Sequence, residues 1–245
     1  RIAETRERAA KFPRTEVRDA VGYSLTRSRI RVLSSSTPEK ALAFFLGEQK
    51  DPKYAADLAT EYGMALVHME LGQYPEALAL FQRLLAAHPG VIPFHTGLAG
   101  AELALGNREA AFADYEKAMG LFPRNTPLTV HYAEALLGAG RAKQAHLVLL
   151  DLLNNVPPTA EQVRLIALAA SAAGDTADAH YYMAELHLLK GDVVMGADQL
   201  RLALSIPGLD SVQKARFTSR LAEIQEWLDR EQAHRRPQAS GEKRQ

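Results

Sequence analysis

The sequence predicts an all-α solenoid of stacked helical hairpins, because several kinds of residue recur at a spacing of 34 positions. Glycine, alanine, proline and a bulky apolar residue each keep this spacing. Turn-forming, small and helix-ending residues that share one period indicate that one structural unit is repeated. The glycines are Gly72, Gly106, Gly140 and Gly174, the alanines Ala65, Ala99, Ala133 and Ala167 with Ala77, Ala111, Ala145 and Ala179, the bulky residues Phe81, Tyr115, Leu149 and Met183, and the prolines Pro89, Pro123 and Pro157.

The segment around residues 71–89 shows what the repeat means physically. Gly72 can take the left-handed conformation that ends one helix, and Pro75 lies in the first turn of the next, where its missing N–H costs nothing. Ala65 and Ala77 lie on the two facing helices and let their axes approach to about 8–10 Å. Since one hairpin cannot bury both of its faces, neighbours must stack into a superhelix, as in tetratricopeptide (TPR) repeats.

Five parts of the chain follow from this pattern. The polar residues 1–14 predict an N-terminal junction helix. Residues 15–53 predict a degenerate first TPR hairpin, because its turn, SSST, lacks the glycine. Residues 54–206 form the TPR array. Residues 207–233 predict a capping C-terminal helix with a polar outer side, and residues 234–245, with almost no apolar side chains, predict a disordered tail.

Near the end of the array the spacing between corresponding glycines falls to half of the 34-residue period, a change that we call the half-period slip. Gly191 follows Gly174 by 17 positions instead of 34. We therefore expect one shared helix at about residues 175–190. Ala179 and Met183 keep the positions of a second helix in one repeat. Gly191 follows as the turn glycine after a first helix, so the same helix also serves as the first helix of the next repeat. Because one stacking step is skipped, the curvature of the superhelix should change locally.

Composition bounds the function. No apolar run approaches the ~20 residues that a membrane span needs, and no signal peptide is visible. The absence of cysteine excludes disulfides and thiolate metal sites.

Since the chain opens with Arg1 rather than Met, we interpret it as a fragment or a mature product. Residues 55–206 carry nine Lys or Arg against sixteen Asp or Glu. This acidic balance argues against nucleic acid and fits either a neutral or basic polypeptide partner or a solvated face.

Catalytic motifs are absent from the sequence, which has no HExxH, no phosphate-binding glycine loop and no GxSxG. His180 and His187 are two turns apart on one helix, too far for them to bind one ion together. His131 and Glu134 predict a structural hydrogen bond. We therefore expect no catalytic residue, no metal site and no cofactor in this chain, and no enzymatic activity.

A partner-binding face is predicted on the first helix of each repeat, because ligands of TPR arrays lie against the concave wall that these helices form. Chaperone-tail TPR domains hold a C-terminal carboxylate there with a cluster of Lys, Arg and Asn. Here Arg164 is the only cation, which argues against such a carboxylate clamp. The predicted residues are Tyr62, Leu66, Met69, Glu70, Thr96, Gly100, Leu103, Val130, Glu134, Leu137, Arg164, Leu168, Ser171, Tyr181, Glu185 and Leu188.

Two stretches indicate a particular family more specifically than the 34-residue spacing does. They are RIAETRERA at the start, and HYYMAELHLLKGDVVMGADQLRLAL followed by QKARFTSRLAEIQEWL. Over residues 1–232 the chain resembles the C-terminal half of the β-barrel assembly-enhancing protease family, periplasmic zinc metallopeptidases of Gram-negative bacteria in which an HExxH domain precedes a TPR region. The resemblance implies the non-catalytic protein-interaction region of a protease and chaperone for outer-membrane β-barrel assembly and quality control. Zinc would belong to the absent protease domain.

The resemblance also implies partners and a location. The partners would be the β-barrel assembly machinery, client outer-membrane proteins or other unfolded polypeptides, and the protein's own protease domain, all in the periplasm. Two alternatives remain at this point, a free-standing TPR adaptor or assembly scaffold of the bacterial envelope, and an enzyme whose site no motif shows. The sequence leaves open the partner's identity, the oligomeric state, and whether the basic N-terminal helix docks on a protease domain or on lipid.

Overall fold

The computed structural model describes residues 20–52, 54 and 57–235, and these form twelve α-helices and no strand. The helices are α1 (Ala20–Ser34), α2 (Pro38–Lys50), α3 (Leu58–Glu70), α4 (Tyr74–Ala87), α5 (Ile92–Ala104), α6 (Arg108–Leu121), α7 (Thr126–Gly138), α8 (Ala142–Asn155), α9 (Ala160–Ala173), α10 (Thr176–Leu189), α11 (Val193–Ser205) and α12 (Ser211–Arg235). The chain divides into two compact units, residues 1–114 and 115–245, and the boundary lies within α6.

Short glycine turns join the helices of each hairpin. Gly174 and Gly191, which flank α10, have φ angles of 85° and 82°, a left-handed conformation that glycine adopts without strain. The side chains of Asp175 and Asp192 then cap α10 and α11 by accepting hydrogen bonds from backbone N–H groups of the first turn. The same kind of turn therefore lies at both ends of α10, as the half-period slip requires.

The first unit is organised around α3, which packs against α1, α2, α4 and α5. Its core contains Phe81, which is 0% exposed, and Tyr62, whose ring lies 6.3 Å from that of Phe81 and 5.7 Å from that of Phe94 between centroids. The helices α1 and α2 both pack on α3 and touch each other little. They therefore form a looser pair than α3 and α4, and the turn between them has serines in place of glycine.

In the second unit, each helix from α7 to α12 packs against the next one along the chain. Small residues allow close contact between α10 and α11, where Ala184 and Ala197 are both 0% exposed. Phe217 of α12 is also 0% exposed and belongs to the same apolar cluster. The last helix thus covers the end of the stack with its apolar side.

The predicted all-α fold of stacked TPR hairpins is confirmed. The predicted junction helix at residues 1–14 lies outside the described residues, and so do residues 236–245 of the predicted tail. The helix that covers the end of the stack runs from Ser211 to Arg235, and the sequence predicts a helix over roughly residues 211–233 within the capping segment 207–233. The local change of superhelix curvature stays a prediction.

Candidate protein-binding surfaces

The predicted wall of the first unit lies on α3 and α5. Glu70 is exposed, and the other accessible members are half-buried, namely Leu66, Met69, Thr96, Gly100 and Leu103. Tyr62 does not belong to this wall. It is only 4% exposed and packs between the rings of Phe81 and Phe94, so it is a core residue. The prediction that Tyr62 lies on the wall was wrong, because its ring fills the space among α3, α4 and α5.

The predicted wall of the second unit is open on α7 and α9. Leu168 is 50% exposed. Glu134, Arg164 and Ser171 are also exposed, whereas Val130 and Leu137 are half-buried. The Nε of Arg164 donates to Glu161 at 3.0 Å, and this hydrogen bond raises the pKa of the guanidinium. The one cation predicted on the wall therefore already has a carboxylate partner.

Three predicted wall residues on α10 are covered by other helices. The ring of Tyr181 stacks on Phe217 at 5.2 Å between centroids. Glu185 accepts two hydrogen bonds from Arg220, at 2.7 and 3.0 Å, and this pairing raises the pKa of Arg220. Leu188 packs into the apolar cluster that α10 forms with α11 and α12. These residues were predicted to meet a ligand because α10 has the repeat pattern of a first helix, but α11 and α12 occupy that side.

A buried polar cluster connects α8, α10 and α12. Asp178 is 5% exposed and accepts hydrogen bonds from Arg216 and, at 3.2 Å, from Nε2 of Gln213. Nε2 of His146 lies 3.7 Å from the same carboxylate. Burial raises the pKa of Asp178, and the guanidinium of Arg216 opposes that increase. That guanidinium also lies 4.4 Å from the centroid of the Tyr181 ring. These contacts hold α12 against α10.

An apolar groove lies on the opposite side of α10, between α9 and α11. We call it the α10 groove, and its volume is about 410 Å³. We call its apolar lining residues the floor, namely Ala167, Leu168, Ala179 and Met183, and its polar lining residues the rim, namely Arg164, Ser171, Thr176, His180 and Gln199. Nδ1 of His180 and Oε1 of Gln199 are hydrogen-bonded at 2.8 Å, which ties α10 to α11 at the rim.

Only part of the α10 groove was predicted from the sequence. Arg164, Leu168 and Ser171 of α9 were predicted as wall residues, and the structure brings them together here. The contributions of α10 and α11 were missed, because α10 was expected to face a ligand with Tyr181 and Glu185. The signal that could have revealed them is the half-period slip, which moves the next helix away from Met183 and Ala179.

The acidic and histidine side chains of the described helices are the candidates for a metal site. Among the described residues, no group of three or more His, Cys, Asp or Glu is placed to hold a metal ion. Nδ1 of His131 lies 3.5 Å from Oε2 of Glu134, and the structural hydrogen bond expected between these side chains stays a prediction. Burial, together with the neighbouring Asp114, raises the pKa of Glu102 to about 7. Structural charge networks also produce such shifts, so we assign Glu102 no catalytic role. None of the described helices has both the length and the apolar character needed to cross a membrane.

Comparison with known proteins supports the repeat assignment. The tetratricopeptide repeat family matches residues 68–113 and 102–169. The β-barrel assembly-enhancing protease of Escherichia coli strain K12 is 26% identical over 230 residues, which are 94% of this chain and 47% of that protein. A putative β-barrel assembly-enhancing protease of Vibrio cholerae is 25% identical over 225 residues, 91% of this chain and 46% of that protein. The chain spans about half the length of the curated relatives it matches.

Two solved structures share the fold. MamA from Desulfovibrio magneticus has a TM-score of 0.53 and 16% identity, covering 69% of this chain and 96% of that one. A tetratricopeptide repeat protein from Parabacteroides merdae has a TM-score of 0.50 and 14% identity, covering 86% and 87%. At such identities the likeness concerns the fold alone. Residues 68–169 therefore match the tetratricopeptide repeat family, and most of the chain is similar to part of β-barrel assembly-enhancing protease.

Proposed function

We propose that this chain is the non-catalytic, protein-binding region of a periplasmic zinc metalloprotease that acts in the assembly and quality control of outer-membrane β-barrel proteins. Its partners are the β-barrel assembly machinery, client barrel proteins and the protease domain of the parent chain. In this arrangement the repeats recruit and orient polypeptides, and bond cleavage belongs to the protease domain, which holds the zinc.

The observation that carries this proposal is accessible apolar surface on the first helices of the repeats. Leu168, which belongs to the apolar floor of the α10 groove, is 50% exposed, and the rim of the groove is polar. Concave, largely apolar sites with a few polar groups are typical binding sites, and helical repeat arrays use such surfaces to bind proteins. The similarity to β-barrel assembly-enhancing protease over 94% of the chain is the reason for proposing partners in β-barrel assembly.

The acidic side chains of the two walls provide a test. Glu70 and Glu134 are exposed on α3 and α7, whereas Glu185 pairs with Arg220 and would report on stability instead of binding. We expect a chain with both Glu70→Lys and Glu134→Lys to retain purified β-barrel assembly machinery several-fold less well than the unmodified chain at low salt. The difference should shrink at high salt, since exposed charges act over about one Debye length.

The matched control reverses two exposed acids on second helices, Glu76→Lys of α4 and Asp151→Lys of α8. This control keeps the same net charge as the test variant. Capture is measured by surface plasmon resonance with the chain immobilised. Equal retention by all three chains would contradict a binding role for the walls, and an equal loss in both variants would show that only net charge matters.

A further inference from the structure

At α2, α4 and α8, a bulky residue in the middle of the second helix of a hairpin is covered by the first helix of the next hairpin. Phe45 of α2 is 1% exposed and lies against Gly63 of α3, and Phe81 of α4 is 0% exposed and lies against Gly97 of α5. At both glycines an added Cβ would overlap the phenyl ring. The covering helix therefore comes close because it presents no side chain at that point. Leu149 of α8, which packs on α9, is also 0% exposed.

Met183 of α10 holds the same position in the repeat but is not covered. It is half-buried, and so is Ala179, whereas Ala41, Ala77 and Ala145, the corresponding alanines of α2, α4 and α8, are 0% exposed. Because of the half-period slip, α11 packs on another side of α10. Its Gly196 faces Leu188, with atoms of that side chain 3.0 and 3.1 Å from the place of a Cβ. The position that a following first helix takes elsewhere in the chain is therefore open here, and it is the α10 groove.

We propose that the α10 groove binds one α-helix of a partner protein, held where the first helix of a following repeat lies at α2 and α4. This inference rests on the proposed function, protein binding, and names the structural class of the ligand. The helix presents glycine or alanine to Met183, as Gly63 and Gly97 do to their phenyl rings. Apolar residues three or four positions away on either side contact Leu168 and Ala179.

An extended peptide fits this groove less well than a helix does. Its backbone N–H and C=O groups would lie over the apolar floor, and each buried group without a partner is costly. The rim offers few partners for such groups, because His180 and Gln199 are already hydrogen-bonded to each other and Arg164 to Glu161. A helix satisfies its own backbone and needs only apolar contact below and polar contact at the rim.

A helix of this chain serves as the probe. The peptide VIPFHTGLAGAELAL, residues 91–105, contains α5, which covers Phe81 in the first unit. We expect this peptide, stapled into a helix on its outer face and labelled with a fluorophore, to bind the full chain saturably with a micromolar Kd by fluorescence anisotropy. The same peptide with Gly97→Leu should bind at least about tenfold more weakly, because a leucine does not fit against Met183.

Variants of the chain locate the binding. Leu168→Glu places a charge on the floor of the groove at a side chain that is 50% exposed, and we expect it to weaken binding by about tenfold or more. Leu147→Glu, at a side chain that is 65% exposed on α8, is the matched control and should bind the peptide normally. Unchanged circular dichroism of both variants shows that they fold. No saturable binding, equal binding of both peptides, or equal effects of both variants would overturn the inference.

The two proposals fail separately. If the peptide does not bind but reversal of Glu70 and Glu134 still reduces retention of the assembly machinery, the chain binds proteins without using the α10 groove for a helix. If the peptide binds as expected but the chain retains no assembly machinery, the groove is a helix-binding site and the proposed partners are wrong.

Discussion

Replacing Arg216 with alanine is expected to lower the free energy of unfolding by about 2–3 kcal/mol. This is less than the roughly 3–5 kcal/mol lost when a fully buried ion pair is broken, because the Arg216 side chain is 31% exposed. The change leaves the Asp178 carboxylate, 5% exposed, beside Asp175 without its cation. It also removes the cation–π contact with Tyr181. Urea denaturation followed by circular dichroism measures the loss.

The pH dependence of this loss identifies Asp178 as its cause. Burial already raises the pKa of Asp178 in the folded chain, and without Arg216 that pKa rises further. The folded state then holds a proton that the unfolded state releases, so stability falls as the pH rises above the ordinary pKa of aspartate. The difference between the two chains should therefore be largest at neutral pH and smallest in acid. A pH-independent loss would attribute the effect to packing alone.

Arg220 provides the control on the same helix. It pairs with Glu185, whose side chain is 23% exposed and is better solvated than Asp178. Arg220→Ala is therefore expected to cost only about 1 kcal/mol. If both alanine variants lost equal stability, the buried cluster around Asp178 would have no special part in holding α12.

Replacing Gly97 with alanine is expected to destabilise the chain by about 1–2 kcal/mol, opposite to the usual effect of this change in a helix. At an open helical position alanine is more stable than glycine by roughly 1 kcal/mol. At Gly97, however, the new Cβ would overlap the ring of Phe81, which is 0% exposed and cannot move away. Overpacking of this kind costs about 1–3 kcal/mol. Thermal and urea denaturation measure the sign.

The control lies one turn along the same helix. At Gly100 the nearest atom to an added Cβ is the Cε of Met69, at 3.9 Å, which is ordinary contact. Gly100→Ala should therefore stabilise the chain by about 0.5–1 kcal/mol. Phe81→Leu should rescue part of the loss in the Gly97→Ala chain, since the smaller side chain makes room for the methyl group. Stabilisation by Gly97→Ala itself would contradict the close contact between α4 and α5.

The helices and turns could be predicted closely because their signals are local. Gly174 and Gly191 have the left-handed conformation that the sequence pattern required, and the core alanines and bulky residues of the regular repeats are buried. A turn needs a residue that tolerates positive φ, and a tight helix pair needs a small residue, so each position limits its own residue type. The period of 34 then fixes which helices are neighbours.

The environment of α10 could not be predicted in the same way. Its sequence satisfies the patterns of both a first and a second helix, and nothing local decides which side remains open. Arg216 and Arg220 reach Asp178 and Glu185 from 38 and 35 residues further along the chain. Such contacts depend on which carboxylates the long arginine side chains reach. The repeat period does not specify this. Tyr62 shows the same limit, since its burial depends on two rings from α4 and α5.

The most direct test of the open groove uses the absence of cysteine from the chain. Single variants Met183→Cys, Leu149→Cys and Ser171→Cys are treated with a water-soluble thiol reagent under native conditions. We predict that the thiol at position 183 reacts more slowly than the one at exposed position 171, because Met183 is half-buried, but far faster than a thiol in the core. The thiol at position 149 should react at least about a hundredfold more slowly, because Leu149 is 0% exposed and must await local opening. If position 183 were as protected as position 149, the α10 groove would be closed in solution and the account of the half-period slip would be wrong.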